Sequence, residues 1–291
     1  MCLMKNLHFA FTSCAVATGL IMVGGFSGPA QTLIYSDTFP GSGNLDSSPT
    51  TGISGMDGGA SGALPQSAAI ESTVGSGQLQ LLTPGGNGTG DNGYIRFDTI
   101  GSSSALYNWA TSPGASAITA AGGMTVSFDW TASDTSSANW LYFAAGADPA
   151  DTFGYGYSVP IWSSKTASGI ILANNGSVQT FHGSGTAVAS ASFTPTSDSH
   201  VVTLSYDFSS WAAGSPVTLT ATVDGQTVIS GDSFTWNSAE SGANYLNLGT
   251  YQENNLISDF TITTVPEPAS LALMGGCGVL LFARRFLGKN G

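Results

Sequence analysis

The stretch Val217-Thr-Leu-Thr-Ala-Thr-Val223 alternates apolar and hydroxyl side chains without a break. Successive side chains of an extended chain point to opposite faces. Val217, Leu219, Ala221 and Val223 therefore line one side, and Thr218, Thr220 and Thr222 the other. This is the pattern of a half-buried strand. Asp224-Gly225 follows, then Gln226-Thr-Val-Ile229, which reads as a tight hairpin whose turn needs positive φ. Similar strand signals occur at 78–82, 94–98, 125–130, 140–145, 153–159, 169–173, 178–181, 200–208, 245–251 and 257–264. No window shows a convincing amphipathic helix. Many short strands at this spacing predict an all-β fold, a two-sheet antiparallel sandwich, with no boundary that would divide it. Residues 36–70 are too rich in Gly, Ala and Ser to be core and are expected to form a long loop excursion.

A chain with 39 Gly and only 8% charged residues could be disordered, but 42% of it is apolar and 10% aromatic, which favours a folded, turn-rich protein. Charge placement narrows the partners. Of the 6 basic residues, only Arg96 and Lys165 lie between residues 31 and 265, whereas every acidic residue except Glu267 does. Such a surface repels phosphate backbones, which excludes nucleic acid as a partner. Cys2, Cys14 and Cys277 all lie in the terminal segments. The body can therefore hold no disulfide, thiolate metal site or cysteine nucleophile.

Both ends read as targeting segments. Lys5, an apolar stretch over 9–26 and the small residues Gly28-Pro29-Ala30 follow the order of a secretory signal peptide, expected to span 1–30 as a helix. At the other end Pro266-Glu267-Pro268 precedes an apolar run, 269–283, and then Arg284-Arg285. As a helix that run reaches roughly 22 Å, short of the roughly 30 Å hydrocarbon layer. Arginine stems can snorkel across part of the gap, and the basic pair holds the tail on the cytoplasmic side. The expected organisation is a signal peptide (1–30), a sandwich ectodomain (31–265) and a transmembrane anchor (266–291).

The tail resembles the PEP-CTERM sorting domain of Gram-negative bacteria, also labelled an ice-binding-protein C-terminal anchor. Pro266, Glu267, Pro268, Arg284 and Arg285 carry the resemblance. It implies processing by an exosortase, a passing attachment to the membrane through the C-terminal helix, and delivery to the cell surface or extracellular matrix, often beside exopolysaccharide. The stretch from Val201 to Ile262, with Tyr35-Ser-Asp-Thr-Phe39 as a first strand, resembles the concanavalin A-like, laminin-G-type jelly roll. That resemblance implies a lectin-like body with its first and last strands adjacent.

Catalytic patterns are sparse. Glycosidases on such folds display carboxylates as Glu-x-Asp-x-x-Glu, and Glu71, Glu240 and Glu253 form no such row. His182 and His200 fall in no metal-ligand spacing and beside no evident nucleophile. Adjacent first and last strands could bring Asp37 and Asp259 together, where Ca²⁺ would relieve their repulsion; otherwise both are exposed strand-end residues. Asp148 and Asp151 read as a turn. Tyr155, Tyr157, Trp162 and Trp211 are the aromatics open to glycan stacking or to packing. The expected function is a non-catalytic surface protein that adheres to, or builds, an extracellular polysaccharide matrix, with no cofactor other than Ca²⁺. The alternative is a secreted polysaccharide hydrolase or lyase with an Asp-based site.

Overall fold

The computed structural model describes residues 31–39, 43–44, 51–52, 73–81, 92–96, 114–132, 134–147, 166–236, 245–251 and 255–265. In chain order the elements are β1 (Leu33–Asp37), β2 (Gly43–Asn44), β3 (Thr51–Gly52), β4 (Thr73–Gly75), β5 (Gln78–Leu81), β6 (Asn92–Arg96), α1 (Ala115–Ala121), β7 (Gly123–Thr131) and β8 (Trp140–Ala147). They continue as β9 (Ser168–Ala173), β10 (Ser177–Phe181), β11 (Ala189–Ser192), β12 (His200–Asp207), β13 (Pro216–Val223), β14 (Gln226–Thr235), β15 (Tyr245–Tyr251) and β16 (Asn255–Thr264).

Two antiparallel sheets result, as the alternation predicted. One runs β14-β13-β12-β7-β16-β5-β4-β2, with β1 on β16 and β3 on β1; the other runs β11-β10-β9-β8-β15-β6. First and last strands are neighbours, Asp37 pairing with Phe260. The inward residues of the two sheets form one core, including Phe128 and Trp130 of β7, Leu204 and Tyr206 of β12, and Phe143 of β8. Each such side chain withdrawn from water contributes about 1.5–3 kcal/mol. Asp224 and Gly225 take φ values of 53° and 75°, the positive-φ turn read from the sequence.

The outward face of the larger sheet carries two ranks of hydroxyls, flanked by Asp129, Val201 and Asp207. Register aligns Thr263, Thr125, Ser205 and Thr220 in one rank and Thr261, Ser127, Thr203 and Thr222 in the next. At one edge the sheets are joined by His182, just past β10, whose Nε2 lies 3.0 Å from the Asp232 carboxylate on β14.

Several features lie outside the expected strands, β4 at Thr73–Gly75 among them. α1 is a seven-residue helix of mostly alanine that turns only Ala115 and Ile118 inward, too short for a visible apolar stripe. β11 is Ala-Ser-Ala-Ser, without bulk to alternate. Within the expected 36–70 loop, β2 and β3 are two-residue strands. The expected strand at 153–159 and both expected terminal helices lie outside the described residues. Among the described residues no helix is long and apolar enough to cross a membrane.

Candidate functional site

Strand direction gives the sandwich two unlike ends. The base gathers the start of β1, α1, the β12–β13 loop and the last residue of β16. The distal end gathers the β7–β8 loop, the β9–β10 turn, the β11–β12 loop, the β13–β14 turn and the start of β16.

At the distal end a buried polar chain ties the sheets together. Trp130 Nε1 donates to Asn255 Oδ1 at 2.9 Å, Asn255 Nδ2 donates to Thr250 Oγ1, and Thr250 Oγ1 donates to the Trp140 carbonyl at 3.3 Å. Asn255 and Thr250 are wholly buried, so these bonds replace lost hydration. Beside them, the Asn174 backbone N–H donates to the Asn139 carbonyl at 2.7 Å.

His200 opens β12 between Phe193 and Trp130, with ring centroids 5.1 and 6.0 Å away. Its Nε2 accepts the Thr196 backbone N–H at 3.1 Å, which assigns the proton to Nδ1, and Nδ1 donates to Asp224 at 2.7 Å. The Thr196 hydroxyl lies 3.4 Å from the same Nε2. Carboxylate, imidazole and hydroxyl thus follow the order of a hydrolytic triad. The lone pair a general base would use is already engaged by a backbone amide, however. The unit locks the β11–β12 loop; it does not activate a nucleophile.

Burial pushes the Asp224 carboxyl up, but hydrogen bonds from His200 and the Val201 N–H outweigh it. The group sits below its usual value. A depressed carboxylate contributes stability above its unfolded pKa, about 3.9, and loses it as pH falls through the lower folded value. Asp224→Ala also strands the buried Nδ1–H of His200. It is expected to cost about 1–3 kcal/mol at pH 7. The gap in melting temperature from wild type should narrow below pH 4; a pH-independent gap would refute the ionic contribution.

The two aspartates expected to hold Ca²⁺ differ in their surroundings. β1 and β16 are adjacent, but Asp37 is buried, its Oδ1 accepting the Phe39 N–H at 2.6 Å, whereas Asp259 is exposed with φ of 50°. Asp129 on β7 feels Asp259 as well: its carboxyl is raised above the usual value first by burial and then by Asp259 and Asp224. No three His, Cys, Asp or Glu among the described residues are grouped to hold a metal ion.

Trp211 is used in packing: its Nε1 donates to the Ala115 carbonyl at 3.2 Å, and its ring stacks on Trp236 at 5.4 Å. A second aromatic layer, unmarked in the sequence, lies on the face of the smaller sheet opposite the core. It comprises Trp140, Tyr142, Ala144, Ile171, Ala173 and Phe181, all buried. The Tyr142 ring lies across Gly249, where an added Cβ would come within 2.5 Å of it. Glycine there makes room for the ring. Tyr155, Tyr157, Trp162, Asp148 and Asp151 lie outside the described residues, as do Pro266, Glu267, Pro268, Arg284 and Arg285.

Residues 264–285 match the PEP-CTERM protein-sorting motif. No curated protein sequence matches the chain. Among solved structures, the Emp47p carbohydrate recognition domain is similar at 11% identity, over 79% of this chain and 96% of that one, with a TM-score of 0.45. The Ca²⁺/Man3GlcNAc-bound VIP36 exoplasmic/lumenal domain is similar at 10% identity, over 66% and 80% of the two chains, with a TM-score of 0.41. A structure from work on endo-acting O-glycanases of the human gut microbiota is similar at 9% identity, over 80% and 99%, with a TM-score of 0.43. These likenesses concern the sandwich fold alone.

Proposed function

We propose that this is an exported protein that an exosortase processes at its C-terminal segment and delivers to the surface or extracellular matrix of a Gram-negative cell. There its sandwich binds neutral extracellular polysaccharide without transforming it. The observation that carries the reading is the position of the sorting motif. β16 ends at Thr264 and the motif spans 264–285, so the address follows directly on the folded body.

The choice of partner rests on charge and surface chemistry. A body with only Arg96 and Lys165 as cations has little to offer an anionic polymer. Its larger sheet instead turns uncharged threonine and serine ranks outward, groups that exchange hydrogen bonds with water and sugar hydroxyls alike. The triad-like His200 is engaged by a backbone amide, which favours binding over hydrolysis.

The test is a glycan array probed with residues 31–265, with and without millimolar Ca²⁺. Retention on neutral glycans, little changed by chelation, is expected. Failure to bind any glycan in either condition would remove the polysaccharide reading. Release of new reducing ends from a bound polysaccharide would replace it with a hydrolase using an Asp-based site.

A further inference from the structure

The sandwich leaves no spacer ahead of its sorting segment. Thr264 and Val265 are buried, at 4% and 8% exposure, and both are held by hydrogen bonds. The Thr264 N–H donates to the Thr32 carbonyl at 2.9 Å, and the Thr32 N–H returns a bond to Thr264 Oγ1 at 3.0 Å. The Val265 N–H donates to the Gly123 carbonyl at 3.1 Å. Pro266 is the next residue, so the first residues of the matched segment belong to the folded base.

We infer that the base of the sandwich is the surface that meets the membrane-embedded processing enzyme, and that it restrains processing until the end of β16 opens. This rests on the exosortase reading of the tail. A peptidase acts on extended backbone, and residues inside a hydrogen-bonded ladder reach it only through local opening. When opening is fast relative to cleavage, the rate follows the population of the frayed state. The coupling acts on access to the bond and is the same whether water or an amine takes the acyl group.

Charge fits this placement. Asp134, Asp198 and Asp224 lie in distal loops and turns, and Asp129 near the distal end of β7. The described carboxylates toward the base are Asp207, at the end of β12, and Asp232, which is engaged by His182. Among the described carboxylates, fewer lie toward the base than toward the distal end, which lowers repulsion where the base approaches an anionic lipid surface.

The test is a pulse-chase of the full-length chain in a host that carries the enzyme. Inserting eight Gly/Ser residues between Val265 and Pro266 is expected to speed conversion to the mature form by about tenfold or more, because the segment no longer waits for fraying. Thr264→Val removes the acceptor of the Thr32 N–H without changing spacing and should speed conversion by a smaller factor. Glu267→Ala is the control for the sorting reading. If it blocks conversion while the insertion leaves the rate unchanged or lowers it, the restraint is refuted and the sorting reading stands. If Glu267→Ala converts normally, the sorting reading fails and the restraint with it.

Discussion

Replacing Gly123 with alanine is expected to destabilise the sandwich by roughly 3–5 kcal/mol, enough to lower its melting temperature by about 10 °C. Gly123 opens β7 with φ of 145°, a conformation that costs an L side chain strain wherever it occurs. Space is the larger obstacle. An added Cβ would lie 2.0 Å from the Tyr206 carbonyl oxygen and 3.0 Å from the Asp207 Cα, both on the paired backbone of β12. Backbone cannot swing aside as a side-chain end can, so β7 and β12 would have to part where Gly123 also receives Val265. Gly225→Ala is the control. It too has positive φ, 75°, but an added Cβ meets nothing within 4 Å, and its cost should stay near ~1 kcal/mol. Equal losses in urea or thermal melts would show that the crowding at β12 is not what holds Gly123 in place.

Changing Glu267 and Pro268 together to alanine should abolish processing and leave a membrane-held precursor. Neither proline of the tripeptide can donate to a ladder or continue a helix, so the pair would separate β16 from the apolar run and set where the expected tail helix begins. Glu267 stands between them as the acidic residue outside the body, where negative charge would favour the amino end of such a helix. Alanine at 267 and 268 removes both the break and the charge and lets the helix extend toward the sandwich. Gel analysis of membrane and medium fractions reads the result. A mature band of unchanged size and amount would mean that the tail is a plain anchor.

Much of the fold is legible in the sequence because one face of the larger sheet is solvated. Val217, Leu219, Ala221 and Val223 are buried, and Thr218, Thr220 and Thr222 are half-buried on the opposite face, as the alternation requires. The method weakens where both faces are covered. In Ser168–Ala173 every residue is buried, so β9 shows a run and gives no sign that Ile171 and Ala173 belong to a second apolar layer. The polar sites are less legible still. Nothing local to His200 announces Asp224, 24 residues away, or says that a Thr196 amide will take its second nitrogen. Asp37 and Asp259 lie on the paired strands β1 and β16, but the irregular register between Ser258 and Thr261 lies beyond period-two reasoning. The tail was readable for the opposite reason: its motif is contiguous, and residues 264–285 match as a single segment.

β16 lies inside the ten-stranded sheet, between β7 and β5, and carries β1 as well. A chain secreted amino end first delivers that strand after every other one. Until it emerges, β7 and β5 have no shared neighbour, and β1 has only the two-residue β3. Pairings so distant in sequence form slowly. On the proposed reading, the apolar tail a few residues behind would pause in the bilayer and hold this keystone at the exit for the time closure takes.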